Sequence, residues 1–327
     1  ETFDAAINKS KDLYGNSEKT ANGYLHLEQL IANEERQKGE FEGAAKRLED
    51  CLNSLLEDGS RSSESAKSLE LQRDICRVEQ SIAMLWLQVS ELDRALEIAQ
   101  KALNKAQGLR EAPELANCYE LVAEIHSAMD APTKALKRWE QAAGIWKKIG
   151  RTRRLHLALE KMGIICLEDS EPDQAYHLLN EALELATETV DIAASCRVMH
   201  FLGRLHLMVK RLAKSQSMFL ESKIMARKFF LEKLVRLNTV YLSALKGYRG
   251  NLQEAIRELT DLMDRWEREK LEKDEVMRLQ ILLGSTYKMA QRVKPANEHY
   301  VRALKLARDL KLPGTVREIT HEMKEAF

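Results

Sequence analysis

The chain has 327 residues, and 51 lysines plus arginines balance 51 aspartates plus glutamates. A net charge of zero removes the basic surplus that marks a binder of nucleic acid or anionic membrane, and no apolar run reaches the ~18–20 residues of a membrane-spanning helix. Apolar residues make up 44% of the chain, enough for a core, while five prolines and 14 glycines stand where average usage gives roughly 16 and 23, so the chain reads as helix almost throughout.

Residues 2–14 (TFDAAINKSKDLY) form an amphipathic pattern with no partner before it, and the sequence opens on Glu1 rather than Met. We expect the second helix of a truncated preceding repeat over 1–16. From about residue 24 the chain reads as helix, short turn, helix, again and again. Each second helix opens on a small residue: Ala44, Ala95, Ala135, Ala175, Ser215, Ala255 and Ala296. The intervals are 51, 40, 40, 40, 40 and 41. Twelve positions earlier stand Ala32, Ala83, Ala123, Gly163, Gly203, Ser243 and Gly284, each preceded by a large apolar residue. Four positions after the marker come Leu48, Ala99, Trp139, Leu179, Phe219, Leu259 and Tyr300. A small residue on each of two neighbouring helices lets their backbones approach, and the large residue one turn on fills the gap.

Pro132, Pro172 and Pro295 fall in turns or in the first turn of a second helix, where a missing N–H costs nothing. The Ser-rich stretch 56–70 (LEDGSRSSESAKSLE) accounts for the single interval of 51. It should form a protruding loop or a longer connection. Residues 314–327 put Val316, Ile319, Met323 and Phe327 on one helical face, to cap the array or open an eighth repeat. The expected count is sixteen helices in one array over 1–327, fourteen of them paired and one at each end.

The seven units over about 24–312 resemble the tetratricopeptide repeat. The resemblance implies an all-α, right-handed α-solenoid of about seven antiparallel helix pairs plus a terminal helix at each end. The usual unit of that family is about 34 residues. The 40-residue unit here resembles the variety found in sensor arms of signalling ATPases and in polarity and motor-adaptor scaffolds. Two departures stand out. The aromatic near the end of the first helix is kept at Trp86 and Tyr287 but replaced by Glu35, His126, Cys166, His206 and Lys246. The glycine of the inter-helix turn survives only as Gly39 and Gly250.

No phosphate loop, dinucleotide fingerprint, zinc-protease motif, nucleophile elbow or paired-cysteine metal spacing occurs. His200 and His206, six apart, lie on opposite helix faces, and His206 takes the slot of Trp86 and Tyr287, so it reads as a packed histidine rather than a ligand. The five cysteines, Cys51, Cys76, Cys118, Cys166 and Cys196, sit inside helical patterns and read as buried small hydrophobes in a reducing cytoplasm. We expect no cofactor, no metal and no catalysis.

The resemblance implies a concave wall built by the first helix of each pair. Its residues here are Asn33 in the first unit; Arg77, Gln80 and Met84 in the second; and Asn117, Glu120 and Glu124 in the third. Glu160 and Ile164 follow, then Arg197, His200 and Arg204, then Val240, then Arg278 and Ile281. The wall segregates by sign, acidic at Glu120, Glu124 and Glu160 and basic at Arg197, His200 and Arg204. Its apolar members suit an extended or helical peptide. We therefore expect a cytoplasmic, non-catalytic adaptor or scaffold that binds a protein or peptide in its groove, and neither nucleic acid nor membrane. The alternative is the ligand-sensing arm of a larger signalling ATPase, kinase or transcription regulator, which leaves other domains of the same polypeptide as partners.

Overall fold

A computed structural model of the chain describes residues 39–59, 65–109, 111–269 and 271–324, and within them all regular structure is helical. The unpartnered helix expected at 1–16, and Ala32 and Asn33 of the first unit, lie outside the described residues. The chain divides into two compact units, Glu1–His126 and Ser127–Phe327.

The first unit contains α1 (Phe41–Gly59), α2 (Ser65–Val89), α3 (Leu92–Leu109) and α4 (Ala112–Ala128), whose last two residues belong to the second unit. Helix α2 has 25 residues, so helix takes up part of the Ser-rich insert on either side of 60–64. The second unit runs through α5 (Pro132–Lys148), α6 (Thr152–Glu168), α7 (Pro172–Glu188), α8 (Ile192–Met208) and α9 (Leu212–Lys228). It continues through α10 (Glu232–Tyr248), α11 (Leu252–Glu269), α12 (Lys273–Met289), α13 (Val293–Asp309) and α14 (Pro313–Lys324). First helices are even-numbered and second helices odd. From α3 on, second helices start 40 or 41 residues apart, and from α4 on first helices do the same, matching the sequence markers; the insert widens the earlier steps to 51 and 47.

The markers are the packing points. All seven, from Ala44 to Ala296, are at most 1% exposed, and the residues four further on, from Leu48 to Tyr300, at most 2%. The small residue of the first helix meets that large residue directly. A Cβ built on Gly163 would lie 2.7 Å from Leu179 Cγ, one on Gly203 2.6 Å from Phe219 Cε1, and one on Gly284 2.8 Å from Tyr300 Cε1. There is no room for a methyl group at these crossings. Where the marker is serine, Ser215 Oγ donates to the Gly203 carbonyl at 2.8 Å, so the buried hydroxyl is satisfied.

First helices end on a left-handed residue: Ser90, Asp130, Ser170, Lys210, Gly250 or Gln291. Only Gly250 is free of a Cβ penalty there. After Ser90, Ser170, Lys210, Gly250 and Gln291 the backbone closes a six-to-one bond, as Arg211 N–H does to the His206 carbonyl at 2.8 Å, which satisfies a terminal carbonyl and holds the conformation. This is why the family's turn glycine can be missing from most units.

Cys76, Cys118, Cys166 and Cys196 are buried free thiols. Burial pushes the Cys166 and Cys196 thiols up to about 11, which leaves them protonated and unreactive at neutral pH.

The glycine crossings carry a direct test. Gly203→Leu drives a branched side chain into the Phe219 ring and should cost about 1–3 kcal/mol or more. Denaturant melts of the variant read that loss, and an unchanged midpoint would contradict the packing register.

The wall of the first helices

In the second unit the successive first helices α6, α8, α10 and α12 approach one another, while among the described residues successive second helices come less close. The first helices therefore line the inside of the curve. Each turns a polar stripe toward its neighbours, and charges are matched across the α6–α8, α10–α12 and α12–α14 steps.

Glu160 of α6 is 3% exposed. It accepts a two-pronged bond from Arg197 of α8, Nε to Oε1 at 2.9 Å and Nη2 to Oε2 at 3.0 Å. The pairing holds the Arg197 guanidinium above its ordinary pKa. Arg236 of α10 grips the buried Glu275 of α12 in the same way, at 2.7 and 3.2 Å. Lys233 reaches Glu272 at 2.6 Å and Asp274 at 2.7 Å. Arg278 of α12 donates to Glu318 of α14 at 3.1 Å. The first unit repeats the device between α2 and α4, where Arg73 pairs with Glu111, and Arg77 with Glu114 at 2.7 Å. The partners lie 37 to 41 residues apart in sequence. We call each such step a rung. Bidentate arginine–carboxylate geometry fixes the relative position of two helices as well as adding energy.

His200 belongs to a different network. It is 5% exposed and lies against Phe219 and Tyr241. Its Nδ1 is 2.9 Å from Asn238 Oδ1. Asn238 Nδ2 donates to Ser222 Oγ at 2.8 Å, and Ser222 donates to the Cys196 carbonyl at 2.7 Å. With the amide nitrogen used on Ser222, the amide oxygen accepts and Nδ1 carries the proton. Burial pushes the ring pKa down to about 3, so His200 is neutral and adds no positive charge to the wall. His206 is buried beside Tyr176, with ring centroids 5.9 Å apart.

The other expected wall residues divide. In the first unit Arg77 is spoken for by Glu114, and Gln80 donates to Cys76 Sγ at 3.4 Å. Met84 is 39% exposed. Asn117 and Glu124 are half-buried and Glu120 is buried. In the second unit Ile164, with Leu157 and Leu237, is half-buried on first helices. Val240 lies in the core with Phe219 and Leu259, and Ile281 in the core with Ala296 and Tyr300. Asn33 lies outside the described residues. The structure thus brings Glu160 to Arg197, and Arg204 to Arg278 through a shared carboxylate. It holds Val240 and Ile281 on the packed faces instead.

Sequence reasoning missed the residues that complete the second unit's wall. Helix α14 packs Ile319, Val316 and Met323 on α12 and α13, as the apolar spacing anticipated. Its polar side turns inward. Glu318 Oε2 lies 3.7 Å from Arg204 and 3.1 Å from Arg278, and Gly314 lies on Glu168, where a Cβ would fall 2.5 Å from the carboxylate. Arg317 pairs with Asp169 at 3.1 Å and with Asp130. The usable signal was the sign change from Arg278 to Glu318, forty residues on.

Similarity to known proteins lies in the fold alone. No protein-family profile matches the chain, and no curated protein matches it in sequence. Aspartyl phosphate phosphatase F from Bacillus subtilis superposes with a TM-score of 0.70 at 13% identity, over 88% of this chain and 71% of that one. The apo form of the quorum sensor NprR from B. thuringiensis gives 0.65 at 15%, over 93% and 81%. A signal-transduction ATPase of the STAND class from Pyrococcus horikoshii, with a tetratricopeptide repeat sensor, gives 0.66 at 15%, over 98% of this chain and 46% of that one. The chain therefore has the fold of tetratricopeptide-like repeat proteins, and it spans under half the length of the STAND protein.

Two measurements check the wall. Arg197→Ala leaves the Glu160 carboxylate buried and unpaired and should cost about 2–3 kcal/mol. Adding Glu160→Gln should return much of that, and a purely additive double mutant in denaturant melts would show that the rung is not coupled.

The second measurement uses pH. Burial lowers the pKa of His156, His200, His206 and His299. The unfolded chain then takes up protons below about 6.5 that the folded chain refuses, so stability is full above that pH and lost as pH falls toward the folded values. For His200, with a folded value of about 3, the loss between pH 7 and 5 is about 2 kcal/mol. His200→Gln should flatten the slope of stability against pH by about one proton, and an unchanged slope would contradict a neutral buried ring.

Proposed function

We propose that this chain is a non-catalytic protein-interaction module that takes a peptide or a partner's segment against the inner wall of its first helices. The observation that supports this most is the composition of that wall in the second unit. Its charges are consumed in rungs between helices, yet Leu157, Ile164 and Leu237 stay half-buried among them. Apolar side chains left partly open on a stiff polar lattice are what a partner's hydrophobic anchors need. The lattice also keeps the sockets in place before binding, which lowers the ordering cost of association.

The rungs change the part played by charge. Glu160 and Arg197 satisfy each other, so they set the shape of the wall more than they attract a ligand. No helix among the described residues is long and apolar enough to cross a membrane, which fits a module working in the cytoplasm. The second reading, a ligand-sensing arm of a larger regulator, draws on the likeness to the STAND protein, which has a tetratricopeptide repeat sensor.

The test begins with a partner recovered on the chain by affinity purification and mass spectrometry. Leu157→Lys and Ile164→Lys, made together, should weaken its binding at least about tenfold while the melt stays close to wild type. Unchanged binding would place the contact elsewhere on the surface.

A further inference from the structure

Helix α14 touches parts of the second unit far from it in sequence. It contacts α6 as well as its neighbour α13, and Arg317 reaches Asp169, 148 residues away. The contacts are of two kinds. Inside, Glu318 stands between Arg204 and Arg278, whose side chains are 10% and 14% exposed. Glu168, on the same two arginines, is the other carboxylate facing them among the described residues. Two cations therefore face two carboxylates, one of them supplied by α14. With α14 withdrawn, Arg204 and Arg278 would face Glu168 alone. That is an excess of one positive charge, a bias toward a carboxylate ligand.

At the rim, Arg317, Asp130 and Asp169 are 40%, 41% and 36% exposed. Ion pairs this open contribute little individually. Of the residues of α14, only Gly314, Thr315 and Ile319 are buried. The segment is thus held mostly by polar links, Glu318 inside, Glu322 to Lys288 at 3.1 Å and to Tyr300 at 3.3 Å, and Arg317 at the rim, with Ile319 fully buried and Val316 and Met323 only partly so beside it. Regions with few buried apolar contacts open at low free energy while the rest stays folded.

Resting on the groove reading above, we infer that the recess formed by Arg204, Arg278 and Glu168 is a binding site for a glutamate-bearing helical segment, that α14 is its resident occupant through Glu318, and that a partner segment with the same acidic pattern binds by taking its place. The site selects a carboxylate by charge and a narrow backbone by shape, since Gly314 lies so close to Glu168 that a Cβ there would meet the carboxylate at 2.5 Å. Tethering gives α14 a high effective concentration, so it masks the site until a competitor or a weakened rim shifts the balance.

The test uses the full chain. Arg317→Ala removes the rim links and leaves Glu318, Arg204 and Arg278 in place, and Arg317→Lys serves as the conservative control. Hydrogen exchange over 313–324 should quicken about tenfold in Arg317→Ala, with 293–309 unchanged and the lysine variant near wild type. A fluorescent peptide of residues 313–324 should bind Arg317→Ala about tenfold more tightly than wild type, because the peptide keeps the arginine that the tethered helix has lost. The same peptide carrying Glu318→Lys should not bind. The proposal is overturned if α13 and α14 exchange together in all three proteins and the peptide binds none, for then α14 is only the end of the array. It is equally overturned if the reversed-charge peptide binds as well as the native one. In either case a recovered partner still lost on Leu157→Lys with Ile164→Lys would leave the groove reading standing without the α14 mechanism.

Discussion

The contact between a small residue on one helix and a large one on the next, as at Gly203 and Phe219, sets the geometry of the second unit. A Cβ at Gly203 would lie 2.6 Å from the ring, so the two helices cross as closely as backbones can. That crossing recurs at Gly163 with Leu179 and at Gly284 with Tyr300. Each pair is therefore a rigid wedge, and forty-residue steps stack nearly identical wedges. Stability in such a stack comes from each pair and its neighbours rather than from one large core.

The rungs follow from that repetition. Residues about forty apart on successive first helices recur at the same height, so a glutamate on one meets an arginine on the next, as Glu160 meets Arg197 at 2.9 Å. The buried carboxylates Glu160 and Glu275 would be costly alone and are tolerated because each takes two arginine donors. The same spacing carries Glu318 to Arg278, so α14 continues the ladder while its other side reaches Arg204 and α6. On the proposed reading, what remains for a partner is the apolar surface between the rungs and the recess that α14 fills.

Much of the fold was legible in the sequence because small residues at helix crossings recur with a fixed period, and a period survives where single propensities mislead. Ala44 to Ala296 are all buried as the pattern requires. The wall was less legible. Reading Glu160 and Arg197 as opposite patches one repeat apart captured their signs and neighbourhood, but a linear sequence does not tell whether two charges on adjacent helices point to a ligand or to each other. His200 is a case of the same kind. Its polarity suggests a cationic wall, while Asn238 and Ser222, decisive for its hydrogen bonds, are 38 and 22 residues further on. The inward turn of α14 was hidden for another reason. Its apolar face was legible, with Ile319, Val316 and Met323 packed on α12 and α13, while its contacts with Asp130 and Asp169 depend on the curvature accumulated over several repeats, which no local spacing encodes.

The central claim is that the inner wall of the second unit is the face a partner meets. Photo-crosslinking tests it most directly, with a benzophenone side chain placed in turn at Ile164 and Leu237 on first helices and at Glu184 and Asp264, which are exposed on second helices. The account predicts adducts with a recovered partner from positions 164 and 237 and none from 184 and 264. Adducts confined to 184 and 264 would contradict it.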